Sequence, residues 1–372
     1  MIWLAYFMTT FMVLRLMVSL SNLLTRQWPK PSAIQPLLSP PLISVLIPAR
    51  NEEKTVGFLL DDLLRQNYEN INILVYNDLS EDNTAKVIKE YANNHQNIKL
   101  INGTTLPSGW TGKNYACHRL SLNAEGEYLL FLDADVRVKP SFIHNIMVHT
   151  KKYRLDLLSL FPRQEMHSFG EKITVPVMNW VLVGLLPLIL TRISGWPCFS
   201  AANGQCMLFR SEVYNRNKFH MELRNNMVED IGIFRIMKKM GLRTHTALSN
   251  GDISCRMYGS WMEAIEGFSK NVIEFFGGHS ILAILFALIT TTGFIPVVIY
   301  LPRVYSLAFF IILGFNKIII SIVSRQPVIP NLLLSPMHQF SFCTMIFKAI
   351  THKAQHRMIW KGRNLYDMKH SY

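Results

Sequence analysis

The apolar positions divide the chain into three stretches of different texture. Residues 2–24 form an apolar run whose one charged residue is Arg15. About 20 apolar residues suffice for a helix to span a bilayer. An arginine near the centre costs about 2.5–3.5 kcal/mol on insertion, which leaves an interfacial anchor as the alternative. No positively charged segment precedes the run and no A-x-A site follows it, which argues against a cleaved signal peptide. Residues 25–41, with Pro29, Pro31, Pro36, Pro40 and Pro41, read as a stiff linker. From residue 42 the pattern changes to short β-branched runs alternating with amphipathic ones. Strands are predicted over 43–47 (ended by Pro48), 71–76, 97–101 and 128–132, and helices over 52–66 and 82–92. Such alternation implies right-handed βαβ units and a mostly parallel sheet, whose ligands sit at the carboxyl ends of the strands. The polar clusters 49–53, 77–82 and 133–135 fall at those ends.

Further along, residues 173–191 carry no charge but are interrupted by Pro176 and Pro187. A broken helix at the membrane interface is expected there, with a buried core helix as the alternative. Residues 275–302 again lack formal charge. Within them 281–301 reads as the strongest transmembrane span, and 304–323 as its return, with Lys317 near the end able to snorkel. The run 332–347 is interrupted by Pro336 and His338 and predicts no clear span. From Lys348 onward six Lys/Arg stand against one acid, Asp367, as in a cytoplasmic tail under the positive-inside rule.

Composition sharpens this picture. Only 17% of the 372 residues are charged and 49% are hydrophobic, against roughly 25% charged in a soluble domain. Disorder and an ordinary cytosolic enzyme without membrane contact are both excluded. Lys and Arg number 38 against 25 Asp and Glu, a net charge of +13. With long apolar runs present and no nucleic-acid motif, a membrane surface is the economical partner and nucleic acid is not. Five cysteines (Cys117, Cys198, Cys206, Cys255 and Cys343) without paired spacing fit a reducing compartment and no structural zinc.

Four polar clusters carry candidate chemistry. Pro48-Ala-Arg-Asn-Glu-Glu53 and Asn77-Asp-Leu-Ser-Glu-Asp-Asn-Thr84 are each explicable as helix-opening turns. Their shared place at the ends of adjacent strands favours binding. Phe131-Leu-Asp-Ala-Asp-Val136 puts two carboxylates two residues apart after an apolar strand, on one face in extended geometry. Two hard oxygen ligands aimed alike suit Mg²⁺ or Mn²⁺ bridging a diphosphate. Glu229-Asp230 opens an amphipathic helix closed by Lys238, Lys239 and Gly241. Complementing the helix dipole and serving as a general base both fit that position.

Taken in order, Pro48…Asn51-Glu52, Asp78, Asp133-x-Asp135 and Glu229-Asp230 resemble the family 2 glycosyltransferases with the GT-A fold, over roughly residues 42–259. Gly109-Trp-Thr-Gly-Lys-Asn-Tyr-Ala-Cys117 and Trp360-Lys-Gly-Arg363 with Tyr366 look like the membrane-bound subgroup of diaponeurosporenoate (carotenoid) and hopanoid-associated glycosyltransferases. The resemblance implies an α/β, Rossmann-like, mostly parallel sheet with transmembrane helices at both ends of the chain. It implies that Arg50 and Glu52 sit near the nucleotide, that Asp78 contacts uracil or ribose, and that Asp133 lies against the ribose or donor sugar. Asp135 would ligate the metal, Lys113 would help hold the donor, and Asp230 would be the base of an inverting transfer. Gly204 in Asn203-Gly-Gln-Cys-Met-Leu-Phe-Arg210, together with Arg256 and Trp261, would lie on the acceptor side. Processive synthases of the family carry a Gln-x-x-Arg-Trp motif after the catalytic acid; this chain has Arg256-Met-Tyr and Trp261 instead, so single transfer is expected.

The expected organisation is an anchor helix over 1–24, a linker over 25–41 and a GT-A domain over 42–272. A C-terminal membrane segment with a helical hairpin follows over 273–347, and a basic cytoplasmic tail over 348–372. The expected reaction moves one sugar, glucose first, from a UDP-sugar with Mg²⁺ or Mn²⁺ to a membrane-dissolved lipid, foremost a carotenoid acid. Hopanoid, ceramide, diacylglycerol and polyprenyl phosphate acceptors, or a silent membrane scaffold, are the alternatives. The expected location is the cell membrane, multi-pass, with the catalytic domain facing the cytoplasm.

Overall fold

A computed structural model describes residues 1–29 and 39–355, and the backbone of two short strands, Ile359–Trp360 and Arg363–Asn364. The greater part of the expected linker, Tyr366, and the side chains of Trp360 and Arg363 lie outside the described residues. The chain forms two compact units. One gathers Met1–Gln27, Gln164–Leu190 and the described residues of Arg256–His356; the other gathers the described residues of Trp28–Arg163, Thr191–Cys255 and the two short strands after His356.

The second unit is built on strands β1 (Ile43–Ala49), β2 (Ile71–Asn77), β3 (Ile98–Asn102), β4 (Tyr128–Leu132), β5 (Val136–Val138), β6 (Leu157–Phe161), the two-residue β7 (Arg163–Gln164), β8 (Cys206–Arg210), β9 (Thr244–Leu248) and β10 (Ile253–Cys255). Seven form one sheet in the order β3-β2-β1-β4-β8-β6-β9. β8 runs antiparallel to both β4 and β6, and the remaining pairings are parallel. The central strands read as near-continuous apolar runs because helices cover both faces of such a sheet; Ile43, Val45, Leu46 and Ile47 are all fully buried. Pro48 does not end β1 as expected. The strand continues to Ala49 opposite Asn77 of β2, but its pairing with β4 stops at Leu46. At Pro48 the strand is therefore paired on one side only, where a missing N–H is tolerated. A core of Leu46, Tyr76, Leu120, Phe131, Phe209, Tyr214 and Phe234 underlies the carboxyl end of the sheet.

The first unit is helical. Two helices, Ile2–Thr25 and Arg303–Val323, are long and apolar enough to cross a membrane. The expected strongest span, 281–301, is not one helix. It is split into Ser280–Thr292 and Phe294–Tyr300 at Gly293, three residues before Pro296, and the first piece forms a sharply bent pair (100°) with the segment Trp261–Phe276. Conversely, Ser335–Gln355 is one continuous helix. Pro336 stands in its first turn, where the absent N–H had no intrahelical partner to lose. The apolar stretch from 173 breaks where its prolines require. Pro176 opens the helix Pro176–Leu185, and Pro187 keeps Leu186 extended. Asn22 closes that end: its Nδ2 donates to the carbonyls of Val183 and Leu186, both at 2.9 Å, and its Oδ1 accepts from the Leu188 N–H at 2.7 Å.

Candidate active site

In the sheet-containing unit, four of the predicted clusters meet at one end of the sheet. Parallel β1, β2 and β4 deliver Arg50 and Glu52, Asp78, and Asp133 and Asp135 past their carboxyl ends. β8 runs the other way, so the turn before it, with Gly204, reaches the same end.

The turns after β1 and β2 are laced together. Arg50 Nη1 donates to the carbonyls of Asp78 at 2.7 Å and Leu79 at 3.2 Å. The Asn51 side chain accepts from Glu81 N at 2.9 Å, and Thr84 Oγ1 accepts from Glu52 N at 2.7 Å. Asn51 and Leu79 both have positive φ, 55° and 51°, a conformation uncommon for residues with a Cβ. The lacing holds Asp78 buried at the end of β2.

Beside these turns lies a charge cluster. Lys113, in the first turn of the helix Gly112–Ser121, places Nζ 2.8 Å from Asp133 Oδ1 and 3.0 Å from Oδ2. It also donates to the Gly204 carbonyl at 3.3 Å and stands 3.8 Å from Glu229 Oε1. Asp230 opens the helix Glu229–Lys239. Its Oδ2 accepts from Gly204 N at 2.9 Å and its Oδ1 from Ile231 N at 2.7 Å. Two main-chain donors thus hold one face of the carboxylate. Gly204 sits at a close approach: a Cβ there would lie 3.1 Å from Lys113 Nζ and 3.4 Å from Glu229 Oε1.

Burial would lower the pKa of Lys113, but the charges of Asp133 and Glu229 outweigh it and the net direction is upward. Burial pushes Glu229 up, with Lys113 pulling back and Asp230 pushing further. Asp230 is likewise raised, by burial first, against the N–H donors of Ile231 and Gly204. The adjacent pair holds protons more tightly than free carboxyls do.

Asp135 sits half-buried one residue beyond Ala134, with its carboxyl against Cys255. Burial and that neighbouring charge push the Cys255 thiol well above its ordinary pKa. Among the described residues no group of three or more His, Cys, Asp and Glu side chains is placed to hold a metal by itself. Asp133 already faces Lys113, so a divalent ion would rely on Asp135 and on oxygens brought by a diphosphate. This all-oxygen set fits Mg²⁺ or Mn²⁺, which commonly take one or two carboxylates plus substrate phosphates.

Two residues not singled out from the sequence complete the cluster. Glu229 was read only as the neighbour of Asp230. Asn114, fully buried, donates from Nδ2 to the carbonyls of Leu223 at 2.7 Å and Asn226 at 3.0 Å, fastening the loop that leads to Glu229. Its signal was its place beside Lys113 in the Gly-Trp-Thr-Gly-Lys-Asn run. Arg256 and Trp261 are not in this unit. In the helical unit Arg256 Nε donates to Glu171 Oε1 at 2.8 Å, and Trp261 Nε1 donates to Ser341 Oγ at 3.0 Å.

This same stretch of chain, residues 44–234, matches the sequence model of "Glycosyl transferase family 2". The chain belongs to that family. Among curated family 2 relatives it is 27% identical over 236 residues to the 4,4'-diaponeurosporenoate glycosyltransferase of Staphylococcus haemolyticus, covering 62% of this chain and 60% of that one. It is 26% identical over 243 residues to the enzyme of the same name from Staphylococcus aureus, covering 63% and 62%. The chain thus matches about three fifths of the length of these relatives. Among solved structures, a mannosyltransferase from Pyrobaculum calidifontis, in complex with GDP-Man and Mn²⁺, superposes with a TM-score of 0.53 at 15% identity, covering 95% of this chain and 98% of that one. The sheet-containing unit is an α/β, GT-A fold.

Proposed function

We propose that the protein transfers a single hexose, glucose first, from a UDP-sugar to a membrane-dissolved lipid acceptor, with inversion, and that the acceptor is a carotenoid-type acid. The observation that carries the reading is the convergence of Asp133, Asp135, Glu229, Asp230 and Lys113 at the carboxyl ends of β1, β2 and β4, in a family 2 chain whose curated relatives are named for glycosylating diaponeurosporenoate.

On this reading Asp78 meets the uracil or ribose from the end of β2, and Arg50 and Glu52 keep that turn in shape for the nucleotide. Asp133 faces the ribose or donor sugar, with Lys113 fixing its orientation and neutralising part of the cluster. Asp135, with the diphosphate, would hold Mg²⁺ or Mn²⁺; the Pyrobaculum neighbour was solved with Mn²⁺. Such an ion neutralises charge on the departing nucleotide diphosphate. Asp230, oriented by two main-chain donors, takes the proton of a hydroxyl acceptor, because an alcohol is a poor nucleophile until deprotonated. A carboxylic acid acceptor is already ionised near neutral pH, and Asp230 then serves position and charge rather than proton removal. Gly204, beside Asp230, marks the acceptor side, with Arg256 and Trp261 assigned there only by family resemblance.

On this reading the protein is a multi-pass protein of the cell membrane, which the length and apolar character of the helices Ile2–Thr25 and Arg303–Val323 support. The basic residues from Lys348 onward orient the catalytic unit to the cytoplasm. The domain limits 1–24, 25–41, 42–272, 273–347 and 348–372 stand as part of the same proposal.

The test uses membranes carrying the protein, Mn²⁺ and labelled UDP-sugars, followed by solvent extraction. Label in the organic phase, absent with Asp135→Ala, supports the reading and names the donor. Chromatography of the product names the acceptor. Failure to label a supplied carotenoid acid from any nucleotide sugar overturns it.

A further inference from the structure

The helical unit contains a polar seam that the transfer chemistry does not use. On the helix Ile2–Thr25, Arg15, Ser19 and Asn22 recur at helical spacing on one face and are all buried. Arg15 is 2% exposed, yet this helix is otherwise apolar enough to cross a membrane. The other candidate span brings Asn316, fully buried, and Lys317, 7% exposed, to the same seam, where Asn316 Oδ1 accepts from Ser19 Oγ. Both cations lie against Trp180: the Arg15 guanidinium is 4.4 Å from its ring centroid and Lys317 Nζ is 4.5 Å from it. Gly184 makes room for the arginine, since a Cβ there would come within 2.7 Å of Arg15 Nη2.

The satisfied bonds are few. Arg15 Nη2 donates to the Trp180 carbonyl at 3.3 Å. Arg15 Nε and Nη1, Trp180 Nε1 and Asn316 Nδ2 are buried without a partner. Every one of these atoms is a donor. No carboxylate pairs with Arg15 or Lys317 among the described residues; the buried acid of this unit, Glu171, is engaged by Arg256. Two like charges beside one ring, surrounded by unfilled donors and lacking an acid, are costly in an apolar bundle. Ionisable groups in membrane helices characteristically face a functional partner. Cation–π contact with Trp180 offsets part of that cost, but a ring face supplies neither a full negative charge nor lone pairs for Arg15 Nε and Nη1.

We propose that Arg15, Lys317, Trp180 and Asn316 form a binding site for the oxyanion headgroup, carboxylate or phosphate, of a membrane-dissolved amphiphile. The inference rests on the membrane placement of the two long helices made under the proposed function, and not on the transfer reaction. An oxyanion supplies what the seam lacks: negative charge shared by two cations, and several lone pairs for the unfilled donors. An acid acceptor and a resident phospholipid share this chemistry.

The full-length protein in neutral nanodiscs is titrated with dodecanoate, methyl dodecanoate and dodecyl phosphate, with affinity read from tryptophan fluorescence and from Tm. At least one of the two anions is expected to bind about tenfold or more tightly than the neutral ester, the scale of one charge-assisted hydrogen bond. Preference for the carboxylate identifies an acid ligand, and preference for the phosphate a lipid headgroup. The Arg15→Met/Lys317→Met double variant is expected to lose the discrimination. Its ligand-free Tm is expected to match or exceed that of wild type, since two unpaired buried charges have been removed. Lys317→Arg, which keeps the charge, is expected to retain the discrimination. Equal affinity of wild type for the anions and the ester overturns the proposal, and so does discrimination that survives in the double variant. UDP binding, measured on the same samples, reports separately on the donor site. Its absence from wild type counts against the proposed function and leaves the anion site standing.

Discussion

Lys113 forks onto both carboxylate oxygens of Asp133, 2.8 Å from one and 3.0 Å from the other, and reaches the Gly204 carbonyl with the same ammonium. One lysine therefore ties together the turn after β4, the turn before β8 and the start of the helix carrying Asp230. Replacing it with methionine leaves Asp133, Glu229 and Asp230 without their shared cation. Lys113→Met is expected to lower stability by about 1–2 kcal/mol and to weaken donor binding. Asp133→Asn in the same chain is expected to restore part of the loss, giving a coupling of about 0.5–3 kcal/mol in a double-mutant cycle from chemical denaturation.

Asp135 is the carboxylate past β4 that Lys113 does not occupy. Asp135→Asn is expected to reduce transfer by roughly 10²–10³, the scale of losing one main electrostatic contribution to a developing charge. Mn²⁺ titration of donor binding is the direct check: an ion-dependent increase is expected with wild type and none in the variant.

Burial raises both Glu229 and Asp230; the Asp230 charge pushes Glu229 further and the Asp133 charge adds to both. If Asp230 acts unprotonated, activity falls as pH drops through the raised value of the pair, above the ordinary carboxylate range. The charge of Asp133 adds to the rise of Asp230, so in Asp133→Asn the acidic limb of the pH–rate profile is expected to move to lower pH. With a carboxylic acid acceptor, Asp230→Asn is expected to keep much of its rate, and with a hydroxyl acceptor to lose it. Near-complete loss with both would sink the carboxylate argument.

Gly204 leaves little space for a side chain, a Cβ there lying 3.1 Å from Lys113 Nζ. Gly204→Ala pushes a methyl against Lys113 Nζ and Glu229, and about 1–3 kcal/mol of stability is expected to be lost through overpacking. The displaced lysine and Asp230 N–H contact predict a larger effect on turnover than on UDP binding, measurable by comparing kcat with the Kd for UDP.

In the helical unit, burial would raise Glu171, but Arg256 and the N–H groups of Ser168 and His167 outweigh it and pull its pKa down to about 2. A folded-state value below the unfolded one gives stability that is fully present above about 4.5 and lost as pH falls from there toward about 2. Tm is expected to drop by a few degrees across that window in wild type and to change less in Glu171→Gln, which thermal denaturation in detergent would show.

Strands β1 to β4, the order of the motifs and the two long apolar helices were legible in the sequence because each is a local pattern. A β-branched run, a carboxylate pair after it, or some 20 apolar residues mean the same thing wherever they are placed. Strand β4 falls where alternation put it, and Asp133 and Asp135 follow from its end. Tertiary structure decided the rest. Pro48 ends a strand only if both neighbours continue past it, and β4 does not. Pro336 breaks a helix only outside the first turn. The partners of Lys113 lie 20, 91 and 116 positions away along the chain, at Asp133, Gly204 and Glu229. Nothing in their spacing brings them together; the antiparallel course of β8 does, by returning Gly204 to the end of the sheet where β4 leaves Asp133. Arg15 and Lys317, read along the chain as a single costly charge and a snorkelling one, become a pair only because their helices pack so that both meet the Trp180 ring. Periodicity reports which face of an element is apolar. Which faces meet, and which charges are left without partners when they do, is settled by packing.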